Sequence, residues 1–290
     1  MNMNLFFRNS VLVLTCILSS VTVQAQRNDF PVKQCLLANS PVGTARGIYP
    51  GRVVWSHAPG VATWDGGQDF WFVDRYNNQQ YCNWLINKTL TNLTGKNTEK
   101  EAWHSIFTYF NKQKRQKEAG YNMGEKLAIK INNNNTYSHD DCHEINASPQ
   151  LLLALLISLV EQAGVPQEAI TVAEPSRFIT DYLYKKCHDR FPNIHFVDNQ
   201  GGDGIIKAEY QASAMHYSKD NGQLARGIAT VFTEATYIIN MALLKGHVGQ
   251  GVTLCGKNWY GCMSIHADWR KNFHNNFNQS RDGIPKYITF

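Results

Sequence analysis

No Cys-x-x-Cys pair occurs anywhere in the 290 residues. That removes the ligand spacing of a ferredoxin-type iron–sulfur cluster and the redox motif of a thioredoxin-like protein. No Gly-x-Ser-x-Gly occurs either, so nothing marks the nucleophile elbow of an α/β-hydrolase. Beyond the first 25 residues no apolar run approaches the ~20 needed to span a bilayer. Charge of one sign is also scarce in blocks. The net charge is +5, and the basic residues are scattered except in Lys112–Lys117, KQKRQK. That cluster ends an amphipathic segment, where cations complement a helix dipole, so no nucleic-acid partner is indicated. Internal repeats are absent, and Asn132–Asn135 is the one low-complexity tract.

What is present begins with an address. Arg8 precedes an apolar run from Val11 to Val23, and Val23-Gln24-Ala25 ends it with small residues flanking Gln24. A charged start, a short apolar core and that ending predict a secretory signal over residues 1–25, cleaved after Ala25. Leu14-Thr15 before Cys16 lacks the small residues of a lipoprotein site, so no lipid anchor is expected. The protein is expected in the periplasm or outside the cell, with no stable membrane span after cleavage. Six cysteines then remain, Cys35, Cys82, Cys142, Cys187, Cys255 and Cys262. In an oxidising compartment at least one disulfide is expected, with its connectivity open.

Residues 26–290 are expected to form a single domain, and 43% hydrophobic content is enough for a sizeable core. A Gly-, Pro- and Trp-rich stretch from Gly47 to Asp74 holds one plausible strand, Arg52–Trp55. Helical spacing predicts helices over Tyr81–Leu93 and Glu99–Lys117, forming an insertion or outer layer. The Lys126–Ile131 stretch then alternates as a strand. Ser148 and Pro149 open a helix that Gly164 closes, and Ala169–Ala173 is the next strand. A helix over Ile179–Phe191, a strand over Ile194–Val197, a turn at Gly201–Gly204 and an apolar run over Tyr237–Leu243 follow. The alternation predicts an α/β fold with a mostly parallel open sheet and flanking helices.

Three polar loops then sit beyond strand ends, where such sheets bind ligands: Lys130–Ser148, Glu174–Arg177 and Lys245–Asn258. Within the last, Gly251 to Lys257 fits a phosphate loop until Asn258 stands where Ser or Thr should hold Mg²⁺. Lys245, Gly246 and His247 also intervene between strand and pattern, and an exported protein meets little nucleoside triphosphate. No nucleotide site is assigned, and the cofactor is left unknown.

Four pieces in order, KLAIKINNNN, INASPQLLLALLISLVEQAGV with ITVAE, IINMALLKGH and GVTLCGKNWYG, together resemble the exported branch of the domain of unknown function 362 family. SPVGTARGIYPGRVVWSHAP near the N-terminus is similar to it as well, so the resemblance covers nearly all of residues 26–290. The ordered LKxH…GVTLxxKNxxG segment is its specific part. The resemblance places signature residues at Lys130, Asn132, Pro149, Lys245, His247, Gly251, Thr253, Lys257 and Asn258. It implies a fold and a site but no settled reaction. Some relatives carry ferredoxin-type clusters, which this chain lacks. The resemblance also implies a further segment after the signature, so the chain reads as a shortened homologue or an incomplete product.

Two readings of these residues stand side by side. In the first, His247 and Lys257 are catalytic, moving a proton and holding negative charge. Lys130, Asn132, Lys245, Gly251, Thr253 and Asn258 then bind a small anionic molecule. In the second, the lysines are solvated and His247 is structural, leaving a non-catalytic binding protein or an inactive homologue. His139, Asp141, Cys142 and His143 have the side chains of a transition-metal site. Being adjacent in sequence, few of them can face one ion, and no metal is assigned. Glu174 and Arg177 can either meet a ligand or pair with each other.

Overall fold

The computed structural model describes residues 43–211, 216–217, 227–247, 251–263 and 288–289. The chain divides into two units, Met1–Thr44 and Ala45–Phe290, and everything below concerns the second. The signal sequence and Cys35 lie outside the described residues.

Local chemistry sets the helix ends. Helix α1 (Gln79–Thr94) starts at Asn78, whose side chain accepts a hydrogen bond from the Tyr81 N–H, and stops at Gly95 with φ 66°. Helix α2 (Glu99–Arg115) opens on a capping box between Thr98 and Glu101. After strand β1 (Leu127–Lys130), Ser148 caps α3 (Pro149–Ile157), with Pro149 in its first turn. The helix runs on through a π-helical turn over Ser158–Gln162. Strand β2 (Ile170–Glu174), helix α4 (Asp181–His188), β3 (His195–Asp198) and the short β4 (Ile206–Lys207) follow. Beyond them come β5 (Tyr210–Gln211), β6 (His216–Tyr217), β7 (Ile228–Ala229), helix α5 (Thr230–Thr233) and β8 (Tyr237–Asn240). The last elements are β9 (Lys245–His247), β10 (Gly251–Thr253), helix α6 (Cys255–Trp259) and β11 (Ile288–Thr289).

The predicted α/β fold is what the chain forms. Five strands in the order β4-β3-β2-β1-β8 make an open sheet, every pairing parallel. β1 is buried at all four positions, as expected for a strand covered on both faces. Alternate residues divide between two cores. Leu127, Ile129, Ile170, Val172 and Phe196 join Leu152, Leu156, Trp103 and Phe107 on the helical side. Ala128, Ala173 and Val197 meet Phe232, Cys262 and Met263 on the other. The α1–α2 pair therefore shares the main core rather than standing apart from it.

Three sequence-based expectations fail here. Arg52–Trp55 forms no strand; Val53 and Trp55 are 89% and 82% exposed, and no neighbouring backbone pairs with them. Arg52 instead reaches the helix end, donating to the Asn92 carbonyl at 3.0 Å. The Lys245–Asn258 stretch is not an open loop. β9 and β10 pair antiparallel as a hairpin, which leads into α6. Cys82, Cys142, Cys187, Cys255 and Cys262 are all free, so no disulfide joins the described residues. No helix among the described residues is long and apolar enough to cross a membrane.

Candidate functional site

The sheet order brings three distant pieces of chain together. From β1 the strands proceed outward to β2, β3 and β4, while β8 lies on the opposite side of β1. The direction of strand order thus reverses beside β1, and the carboxyl edge at such a reversal is open for a ligand. A crevice of about 300 Å³ occupies that edge. Lys130, Asn132 and Asn134 enter it from the end of β1, and Glu174, Ser176 and Arg177 from the end of β2. The third wall is Lys245, His247 and Thr253 of the hairpin with Lys257, Asn258, Tyr260 and Gly261.

Its floor is an ion pair. Lys130 Nζ lies 2.9 Å from Glu174 Oε2, with the two side chains 1% and 2% exposed. Removing two charges from water is costly, and such a pair persists only when its remaining donors and acceptors are met. They are met here. Glu174 also accepts from the Asn133 N–H at 2.8 Å and from Ser176 Oγ at 3.0 Å. Lys130 donates as well to the Ile131 carbonyl and to Asn258 Oδ1 at 3.3 Å. Asn258 ties β1 to β8: its Nδ2 donates to the Lys130 carbonyl at 3.2 Å and to Asn240 Oδ1 at 2.7 Å. Asn240 Nδ2 in turn donates to the Cys255 carbonyl at 2.9 Å. Asn258 therefore serves as a bracket between strands where the phosphate-loop pattern wants a hydroxyl. Gly261 passes over the pair so closely that a Cβ would stand 2.9 Å from Lys130 Nζ and 3.0 Å from Glu174 Oε1.

The rim is cationic. Burial pushes the Lys257 and Lys245 ammonium groups below the ordinary lysine range, with the Glu144 charge acting back on Lys245. Burial, then Lys257 and Lys245, hold His247 below the usual histidine value. A desolvated imidazole beside two ammonium groups is neutral at neutral pH and able to accept a proton. Among the described residues neither Lys245 nor Lys257 forms an ion pair; Lys257 Nζ sits 5.3 Å from the centroid of the Tyr260 ring. Across the crevice, Arg177 is fixed by backbone carbonyls, its Nε donating to Asn134 at 3.0 Å and its Nη1 to Ser176 at 2.9 Å. The arrangement can hold negative charge above a pre-ordered polar floor and offers one base beside it.

Nine residues named from sequence line this crevice: Lys130, Asn132, Glu174, Arg177, Lys245, His247, Thr253, Lys257 and Asn258. Gly251 does not; it sits in β10 opposite His247 with φ 75°, where its lack of a Cβ serves the hairpin. Lys130 is committed to Glu174, so its charge is already answered. The side chains of Glu174 and Arg177 form no ion pair, although the Arg177 N–H donates to the Glu174 carbonyl at 3.1 Å. The metal-type side chains of the 139–143 loop scatter. His139 Nε2 lies 2.8 Å from Asp198 Oδ2, Asp141 accepts from the Tyr182 N–H, and His143 packs on Phe70. Cys142 Sγ accepts from Asn146 Nδ2 at 3.6 Å. No group of three or more such residues gathers among the described residues. Asn134 belongs to the Asn132–Asn135 tract that the sequence offered as a polar lining, and Ser176 to the Glu174–Arg177 loop; sequence reasoning missed Tyr260 and Gly261, whose one signal was their nearness to residues already named.

Comparison with known proteins adds one match. The family model described as Domain of unknown function (DUF362) matches residues 127–290, more than half of the chain. The match begins at β1, so the α1–α2 region lies outside it. No curated protein and no solved structure matches.

Proposed function

The chain belongs to the domain of unknown function 362 family, and from that premise we propose that the crevice binds a small anionic molecule and that His247 moves a proton on it. The supporting observation is the convergence of Lys245, Lys257 and His247 on one wall, above a floor whose own charges cancel. In a recess with little water, unanswered like charges favour an anion over a neutral ligand. Lys257 and Lys245 hold the negative charge, and the neutral imidazole of His247 accepts a proton from the bound molecule. The charged start and small-residue ending of residues 1–25 support export, which we propose alongside.

Thermal-shift screening of carboxylates and phosphates, followed by incubation with each stabilising compound, tests the reading. A stabilising anion that emerges chemically changed supports both halves. One recovered unchanged leaves a binding protein, and stabilisation by neutral compounds alone overturns the proposal. Where turnover is found, it should rise with pH through the depressed His247 value, below ~6.5, and fall again as the lysines lose charge. A rate that falls through the first of these steps removes His247 as the base.

A further inference from the structure

Resting on that reading, we infer that the ligand carries two separated negative groups, as a four- or five-carbon dicarboxylate does. The charge count of the crevice points there. Lys130 and Glu174 neutralise each other within it. Among the described residues three cations remain on its walls, Arg177, Lys245 and Lys257, against one further carboxylate whose charge acts on Lys245, Glu144. Two positive charges are therefore left for a ligand to answer, so a monoanion satisfies half of the site.

The placement of those cations separates the two groups. Arg177 follows β2, whereas Lys245 and Lys257 follow β8, and β1 runs between them. Adjacent strands lie about 4.8 Å apart, so the strand ends from which the two cation-bearing segments leave are about 10 Å apart. A single compact oxyanion held by one wall leaves the other unmatched. A short chain with a carboxylate at each end lets one end meet the Arg177 guanidinium and the other the lysines. Arg177 is suited to its part. Its Nε and Nη1 are held by carbonyls and its guanidinium stands 5.3 Å from the Tyr137 ring centroid, so the fork is ordered before a ligand arrives. The Nη2 donor makes no hydrogen bond to the described residues. An ordered guanidinium recognises a carboxylate with less loss of side-chain freedom than a lysine does. Between the walls, Asn132 and Asn134 supply polar positions for the middle of the chain.

Calorimetric titration of the full chain at fixed ionic strength tests this with succinate, glutarate, their monomethyl esters and inorganic phosphate. At least one diacid should bind about tenfold or more tightly than its own monoester, the scale of one charge-assisted contact. Arg177→Gln should lower diacid affinity more than monoester affinity and so erase that advantage. Lys257→Gln should weaken diacid and monoester alike. Equal affinity of diacid and monoester overturns the two-group inference and leaves the anion site standing. Phosphate binding as tightly as the better diacid overturns it too, since a compact dianion then suffices. No binding by any of the five, with Lys257→Gln indistinguishable from the parent, sinks the anion reading itself.

Discussion

At the scale of single residues, the decisive partnership is Lys130 with Glu174. Lys130→Met alone leaves a buried carboxylate without its cation and should cost about 3–5 kcal/mol in denaturant unfolding. The double variant Lys130→Met/Glu174→Met should recover part of that loss, because the charge leaves with its partner while the buried Asn133 N–H and Asn258 Oδ1 lose theirs. Double and single variants falling equally would show that the floor is not organised as a pair. Gly261→Ala should disturb the same place from above, since its Cβ would crowd both charged ends. A second carboxylate carries a pH signature. Burial alone would raise Glu125, but hydrogen bonds from Arg115, Tyr237 and the Asn122 N–H outweigh it and hold the group at about 2. A depressed carboxylate stabilises fully above its unfolded value and loses that stabilisation as pH falls toward the folded one. Glu125→Gln should therefore flatten the acid limb of the stability curve between about pH 4.5 and 2. An unchanged limb would dismiss the linkage. Sequence reading named Lys130 and Asn258 as ligand-binding residues, and both line the crevice; their partners within the chain it did not foresee. Those partners, Glu174 and Asn240, are set by strand order, and strand order is not written in the local pattern of either residue.

Among the elements, legibility followed the strength of local signals. Ser148 with Pro149 announced α3, and the alternation of Lys126–Ile131 announced β1, because capping and pleat act within a few residues. The β9–β10 hairpin escaped because Gly246, Gly249 and Gly251 weaken any strand pattern; pairing with the opposite strand defines it. Arg52–Trp55 erred the other way, with strand-forming residues that found no neighbour. Gly251→Ala tests the hairpin. At φ 75° a side chain costs about 1–2 kcal/mol, so the variant should melt earlier and bind anions less well through displaced Lys245 and His247. Unaltered melting and binding would show that the hairpin conformation does not position them. Ser148→Ala, by contrast, should cost about 1 kcal/mol in thermal unfolding and leave anion affinity untouched, since it caps α3 away from the crevice wall.

For the molecule as a whole, the sheet was legible as parallel α/β, and export is the address that residues 1–25 lead us to propose. Mass spectrometry of the mature N-terminus should find Gln26 first; a retained Met1 in a cytosolic fraction would end the proposal. What the sequence withheld was adjacency: nothing near Tyr237 says that it will lie against Leu127. That pairing joins residues more than a hundred positions apart. Closing so long a loop is slow, and its entropic cost falls before the contacts that offset it are made. β8 should therefore dock late during folding, and the crevice is complete only once it has docked. An anion bound there has nothing to grip in the folding transition state. It should lengthen the lifetime of the native chain, slowing unfolding in stopped-flow measurements while refolding proceeds at its unliganded rate.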